Sequence, residues 1–325
     1  MIKKPLRAAA LTLAATVTLA ATPALAEYPE KPVKILVGFS AGGGTDTTAR
    51  GMASYMHEAP SMKGMPAVIV NLPGASGQKA AKQVKDSDAD GYTLYMVNEG
   101  TFAAAEMAAG DDAPVNARKD MENLGCVTQL VTSLQVRTDD KAKDAKEWVE
   151  NAKASGDTVK WGTSGAATMN ALIGHLFLDE MGVKHQVVPF KGASKARAAL
   201  LSGSVDAVFN GVNASAGFED QIRLLGVPAA ERDGSAPDTP TFKELGLMDV
   251  AITGPMCLYA PKGIPADAQA ALVDAVKHVS GIKGYGKFLK KNALAPKYFS
   301  PEEANASADA LYDKLGPIVK QVMSQ

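Results

Sequence analysis

The chain has little of what enzymes and nucleic-acid binders lean on. Cysteine occurs twice, histidine four times and tryptophan twice, and aromatic residues make up 6% of 325 positions. The spacing of Cys126 and Cys257 matches no metal-ligating motif, so no metal site is expected. A Walker loop would end in Gly-Lys-Ser/Thr, a zinc protease would carry His-Glu-x-x-His, and an α/β-hydrolase would show Gly-x-Ser-x-Gly. The first two strings do not occur, and the third occurs once, as Gly38-Phe39-Ser40-Ala41-Gly42. Basic residues number 34 and acidic residues 35, which excludes the basic surface that a nucleic-acid partner demands. Beyond residue 26 no apolar run approaches the ~20 residues that cross a bilayer.

The first 26 residues read as a secretory leader. Lys3, Lys4 and Arg7 precede the apolar run AAALTLAATVTLAATP, and Ala24-Leu25-Ala26 forms a small-residue cleavage site. Cleavage after Ala26 and export to the periplasm are expected. The run is too short, and too rich in alanine and threonine, to favour retention as a membrane anchor. Cleavage would leave 299 of 325 residues, a length that suits two domains. It would also remove three basic residues from the 34, leaving a net charge of −4 against 35 acidic ones. Cys126 and Cys257 either form one disulfide or remain two buried thiols, because pairing depends on a Cα separation below about 7 Å. The Asn-x-Ser triplets at Asn213 and Asn305 read as chance.

Four stretches have the order strand, glycine turn, helix. They are KPVKILVGF-SAGGG-TDTTARGMASYMHE, PAVIVN-LPGASG-QKAAKQVKDSD, TVKWGT-SGAAT-MNALIGHLFLDEMG and HQVVPF-KGA-SKARAALLSG. The strands YTLYMV and SVDAVFN follow the second and fourth units. Such alternation specifies an α/β chain with mainly parallel sheets. Thr45 or Asp46 is expected to cap the first helix, and Ser194 the helix that follows it at Lys195. Breaks near residues 120–126 and 250–257 divide the chain, so that two strands cross between lobes and form a hinge.

Gly42, Gly43 and Gly44 stand at the mouth of a helix, where free backbone amides meet the positive end of the helix dipole. A dinucleotide site would want G-x-G-x-x-G and an acidic residue after the next strand. Here the glycines are contiguous and the next strand ends Asn71-Leu-Pro-Gly. A small anion is therefore the expected guest, with no cofactor. Ser164 in Thr163-Ser164-Gly165 could imitate a nucleophile turn, but the sequence places no histidine or lysine to activate it.

Six segments in order give the chain a family resemblance. They are YPEKPVKILVGFSAGGGTDTTAR, NLPGASG, DGYTLYM, PFKGASKARAALLSGSVDAVF, PDTPTFKELGL and LYAPKGIP. Together they resemble the periplasmic solute receptors of tripartite tricarboxylate transporters, the Bug or TctC-type family. The resemblance implies a two-lobed, type II-like binding-protein fold, with residues 27–124 plus 251–325 as lobe I and 125–250 as lobe II. It implies capture of a small mono- or dicarboxylate between the lobes and delivery to a membrane permease, by a monomer, without catalysis. An exported Ser-dependent hydrolase and a periplasmic ligand-sensing subunit are the alternatives.

Residue by residue, the resemblance assigns ligand contacts to Phe39, Ser40, Gly43, Gly44, Thr45 and Asp46 in the first loop. It assigns Gly74, Ala75 and Ser76 in the second loop, and Ser164, Gly165 and Thr168 in the third. Lys191, Asp206 and Asn210 complete the set. Three departures from the family pattern stand out. Ala171 occupies the place of a usual histidine, Gly254-Pro255 that of a glycine-aromatic pair, and Gln78-Lys79-Ala80 a run that usually holds another glycine.

Overall fold

A strand buried on both faces reads as a near-continuous apolar run, and VKILV does so. In the computed structural model, which describes residues 28–323, this run is β1 (Val33–Val37), and Val33, Ile35, Leu36 and Val37 are fully buried. The chain continues through α1 (Gly44–Met56), β2 (Ala67–Asn71), α2 (Gln78–Lys85), β3 (Thr93–Asn98), α3 (Glu99–Ala109) and α4 (Ala117–Asp120). It then passes through β4 (Met121–Arg137), α5 (Ala145–Ser155), β5 (Val159–Thr163), α6 (Met169–Glu180), β6 (His185–Pro189), α7 (Ala193–Leu201), β7 (Ala207–Gly211) and β8 (Ile222–Gly226). It returns in β9 (Thr253–Pro261) and ends with α8 (Ala266–Gly281), α9 (Lys283–Lys291), β10 (Ala295–Phe299) and α10 (Pro301–Met323). The expected leader lies outside the described residues.

All four strand–glycine–helix units are present. Besides the following strands β3 and β7, elements α3, α4, α5, α8, α9, α10, β4, β8, β9 and β10 lie outside them. The strands are ordered β2-β1-β3-β9-β4-β7-β5-β6, with β8 and β10 also paired to β4. Pairing is parallel within β1–β3 and within β5–β7, as the alternating pattern requires. It is antiparallel wherever β4 or β9 takes part. The fold is the expected two-lobed α/β arrangement. Its two parallel halves are joined through β4, which pairs with β9 from Met121 to Val131 and with β7 from Thr132 to Gln135. Seventeen residues at ~3.3 Å each let one strand belong to both halves.

The open cysteine question is resolved in favour of a disulfide. Cys126 of β4 and Cys257 of β9 face each other across the ladder, fully buried, with a Cα separation of 3.9 Å. The bond closes a segment of 131 residues. In the loop-entropy model a closure that long stabilises the fold by about 4–5 kcal/mol.

Candidate functional site

In parallel sheets ligands gather outside the carboxyl ends of the strands. Here the ends of β1, β5, β6 and β7 deliver Phe39, Ser164, Lys191 and Gly211 to one cleft between the halves. Two adjoining cavities occupy it and share Phe39 and Ser164 in their walls. The inner one is lined also by Gly43, Gly44, Thr45, Thr101, Leu130, Asn170, Ala193, Gly211 and Asn213. The outer one, about 220 Å³, is lined by Gly74, Ala75, Ser76, Gly165, Pro189, Phe190 and Lys191 among others. That volume is below the ~300–1,000 Å³ of pockets for drug-sized ligands, so the space suits a guest of few heavy atoms.

Three backbone openings converge on this space without side-chain caps. The N-cap of α1 is Gly43 and that of α7 is Gly192, and the turn at Ala75–Gly77 begins at Gly74; none has a capping side chain. Uncapped helix starts leave amide donors at the positive dipole end. Helix α6 differs, because the hydroxyl of Thr168 accepts from Ala171 N at 3.2 Å. Thr168 thereby serves its own helix.

The halves touch directly around the cavities. Ser40 donates from both its amide and its hydroxyl to the Lys191 carbonyl, at 2.8 and 2.7 Å. Ser194 Oγ donates to the Ala41 carbonyl at 2.8 Å, and Ala167 N donates to Ser76 Oγ at 3.0 Å. Gly192 makes the first contact possible. Its φ is +143°, and a Cβ there would stand 2.8 Å from Ser40 N. Ala75 and Ser76 also hold left-handed backbone, at φ 46° and 50°. Such strain costs of order 1–3 kcal/mol per residue and gathers at ligand clamps.

Several sequence expectations need correction. The first helix is capped at Gly43, not at Thr45 or Asp46. Asp46 is buried and accepts from Gly42 N at 2.9 Å, Arg50 Nε at 3.0 Å and Asn71 Nδ2 at 2.9 Å. Burial alone would raise its pKa, but the bonds from Arg50, Gly42 and Asn71 outweigh that and hold the carboxyl below its ordinary value. Asp46 therefore fixes the first loop and does not line the cavities. Ser194 bridges the halves and caps nothing. Asp206 lies at the opposite end of β7, exposed, with its carboxylate on Lys160 N at 2.8 Å. Asn210 is fully buried beside the cleft, its Nδ2 donating to the Ala193 carbonyl at 3.4 Å.

Sequence reasoning missed Thr101, Asn170 and Asn213. Asn170 donates from Nδ2 to Ser164 Oγ at 3.2 Å and accepts from Thr132 Oγ1 at 2.6 Å. It sits in the segment that departs from the family pattern, which was a usable signal. Asn213, read as part of a chance triplet, stands against Gly44. The partner of Ser164 is thus an amide, not a base, and no histidine lines either cavity.

His175, Asp179 and His185 bring ligand-type atoms within 4.8 Å of one another, the one such metal-capable group among the described residues. His185 Nδ1 accepts from Trp161 Nε1 at 3.1 Å, which leaves its proton on Nε2, 2.9 Å from Asp179 Oδ1. That ring is already committed at both nitrogens. Burial lowers the pKa of His175, helped by His185 and opposed by Asp179.

The family model described as the tripartite tricarboxylate transporter family receptor matches residues 49–323. A UPF0065 protein in the gbd 5′ region of Cupriavidus necator is 31% identical over 303 residues, covering 89% of each chain. A solved structure described as a periplasmic transporter superposes with a TM-score of 0.85 at 28% identity, covering 90% of this chain and 97% of that one. MatC from Rhodopseudomonas palustris, solved with bound malate, superposes at 0.82 with 26% identity, covering 90% of this chain and 100% of its own.

Proposed function

From the chain's membership in the tripartite tricarboxylate transporter receptor family, we propose that it is a periplasmic receptor for a small mono- or dicarboxylate. The bound acid would be handed to a membrane permease of the same transport system. The observation that carries this reading is the gathering of uncapped backbone starts, from both halves, around the two adjoining cavities of one cleft. An anion there completes helix starts that no side chain completes. The malate held by MatC supports the same ligand class.

In this reading Gly43, Gly44 and Thr45 donate to one end of the acid, and Gly74, Ala75 and Ser76 bound the outer space. Ser164, Gly165 and the missed Thr101, Asn170 and Asn213 supply polar contacts. Phe39 and Leu130 cover the carbon chain. Lys191, the one cationic residue lining the cavities among the described residues, stands at the rim and adds long-range attraction. Charge-assisted amide bonds contribute about 1.5–3 kcal/mol each, so a few suffice for micromolar binding.

Residues 27–124 with 251–325 form one lobe and 125–250 the other, and the acid favours the closed arrangement through the contacts it adds there. Residues 1–26 are the leader that carries the protein to the periplasm. Calorimetry and thermal unfolding against a panel of carboxylates test the proposal. An acid at 100 times its dissociation constant raises stability by about 2.7 kcal/mol. A sugar or a metal ion that shifts unfolding, where no acid does, overturns the ligand class.

A further inference from the structure

Helix α3 begins between two cavities. Thr101 lines the cleft, whereas Glu99, two residues earlier, lines a different cavity of about 140 Å³ that shares no residue with the first two. Glu99 is fully buried. Its Oε2 accepts a hydrogen bond from Tyr259 Oη, which in turn accepts from Asn123 Nδ2 at 3.1 Å. Its Oε1 is buried and has no hydrogen-bond partner among the described residues.

The walls of this cavity hold two cations, and each is already neutralised. Lys262 Nζ pairs with Glu122 at 2.7 Å, and Arg118 pairs with Asp309. Of the three lining carboxylates, Glu99 alone has no ion-pair partner among the described residues. The lining therefore carries one net negative charge when Glu99 is ionised. That charge sits on a carboxylate whose second oxygen is buried and has no hydrogen-bond partner among the described residues.

We propose that this cavity is a second binding site, for ammonium or a short primary alkylammonium ion, held by Glu99 Oε1. The ion would donate an N–H to the unpartnered oxygen and balance the unpaired charge. A calcium or magnesium ion fits less well. Calcium takes six to eight oxygen ligands and magnesium a near-ideal octahedron, and the carboxylates of Glu122 and Asp309 are committed to Lys262 and Arg118. An ammonium ion needs few acceptors, of which one is charged.

Protonation of Glu99 competes with the guest. Burial, with the nearby Glu106 and Asp309, outweighs the Tyr259 hydrogen bond and the Arg118 field and pushes the carboxyl up to about 7. From helix α10, Asp309 adds to this rise, and Tyr312, bonded to Glu106, also faces the cluster. The ionised fraction at pH 8 is then about ten times that at pH 6, and affinity for the ion falls by the same factor.

The test is thermal unfolding of the purified protein in sodium phosphate, titrated with methylammonium chloride against equal sodium chloride. A saturable rise in midpoint is expected at pH 8, with a roughly tenfold weaker dissociation constant at pH 6. Tetramethylammonium, which has no N–H, produces no saturable rise. Glu99→Gln abolishes the methylammonium response. The proposal is overturned if methylammonium acts no differently from sodium at pH 8, or if Glu99→Gln responds as the parent does. It is also overturned if affinity in the parent is equal at the two pH values, a result that needs no variant to fold.

Discussion

Two helices that begin on opposite walls of the same cleft start in different ways. Helix α1 opens at Gly43 with no side chain over its first amides, whereas α6 opens at Thr168, whose hydroxyl accepts from Ala171 N. Helix propensity does not explain the contrast, since threonine and glycine are comparable N-caps. An open start is a donor set waiting for an outside oxygen, and a capped one has supplied its own. The walls of the cleft therefore divide into a surface whose helix starts are uncapped and a surface whose helix start is complete. In the proposed reading, the charge of an acid would meet helix dipoles instead of a paired side chain.

The contrast breaks most sharply if α1 is given the cap it lacks. Gly43 has extended backbone at φ −89°, and the nearest atom to an added Cβ is Ser40 O at 3.5 Å, so Gly43→Asp fits. Its carboxylate would take the first-turn amides and repel an acid. The affinity for the carboxylate should fall at least 100-fold, about 2.7 kcal/mol, while stability holds or rises by a few tenths. Calorimetry that finds unchanged affinity removes the α1 mouth from the site.

Next in size is Gly192→Ala. The added methyl meets Ser40 N at 2.8 Å in backbone at φ +143°, which pushes the halves apart. Affinity should drop about tenfold, near 1.4 kcal/mol. Small-angle scattering of the variant with saturating acid should report a more open particle. Parent-like scattering and affinity together would separate this contact from closure.

The opposite edit uncaps α6. Thr168→Ala should cost about 1 kcal/mol of stability, read from denaturant midpoints, and alter affinity by less than about threefold. A large loss of binding would make Thr168 a ligand contact after all. The smallest effect concerns Asp46, which ties Gly42 to Arg50 and Asn71 beneath the open mouth. Its folded pKa is depressed, so the unfolded chain binds the proton more readily. The stabilisation is present above the unfolded value of about 3.9 and is lost as pH falls through the folded one. Asp46→Asn should therefore flatten the acid limb of the stability profile below about pH 4. An equally steep limb in the variant would mean that other carboxylates dominate it.

Much of the lining of the candidate cleft was legible because backbone chemistry announces itself locally. Gly43, Gly44, Gly74, Ser76, Ser164 and Gly165 each follow a strand and precede a helix, and that order is visible in the string. Asp206 was misplaced because it precedes β7, while the crevice of a parallel sheet lies beyond the strand ends. Thr101, Asn170 and Asn213 were missed for another reason. Each is an ordinary polar residue whose role depends on what stands opposite it, although Asn170 also lies in the segment that departs from the family pattern. The donor to Ser164 is six residues later in the chain, in the first turn of α6, and the neighbour of Gly44 is Asn213, far along the chain.

By itself the amino-acid order determined the succession of strands, glycine turns and helices, since apolar periodicity and glycine placement act over a few residues. The residues of six short segments, occurring in order, carried the family resemblance. Tertiary structure alone decided that β4 would serve both halves and that Cys126 would meet Cys257. It decided too which helix mouths stay open and that Glu99 would be buried with one oxygen unpaired. Those outcomes rest on distances between residues up to 160 positions apart, such as Glu99 and Tyr259, and only chain packing sets such distances.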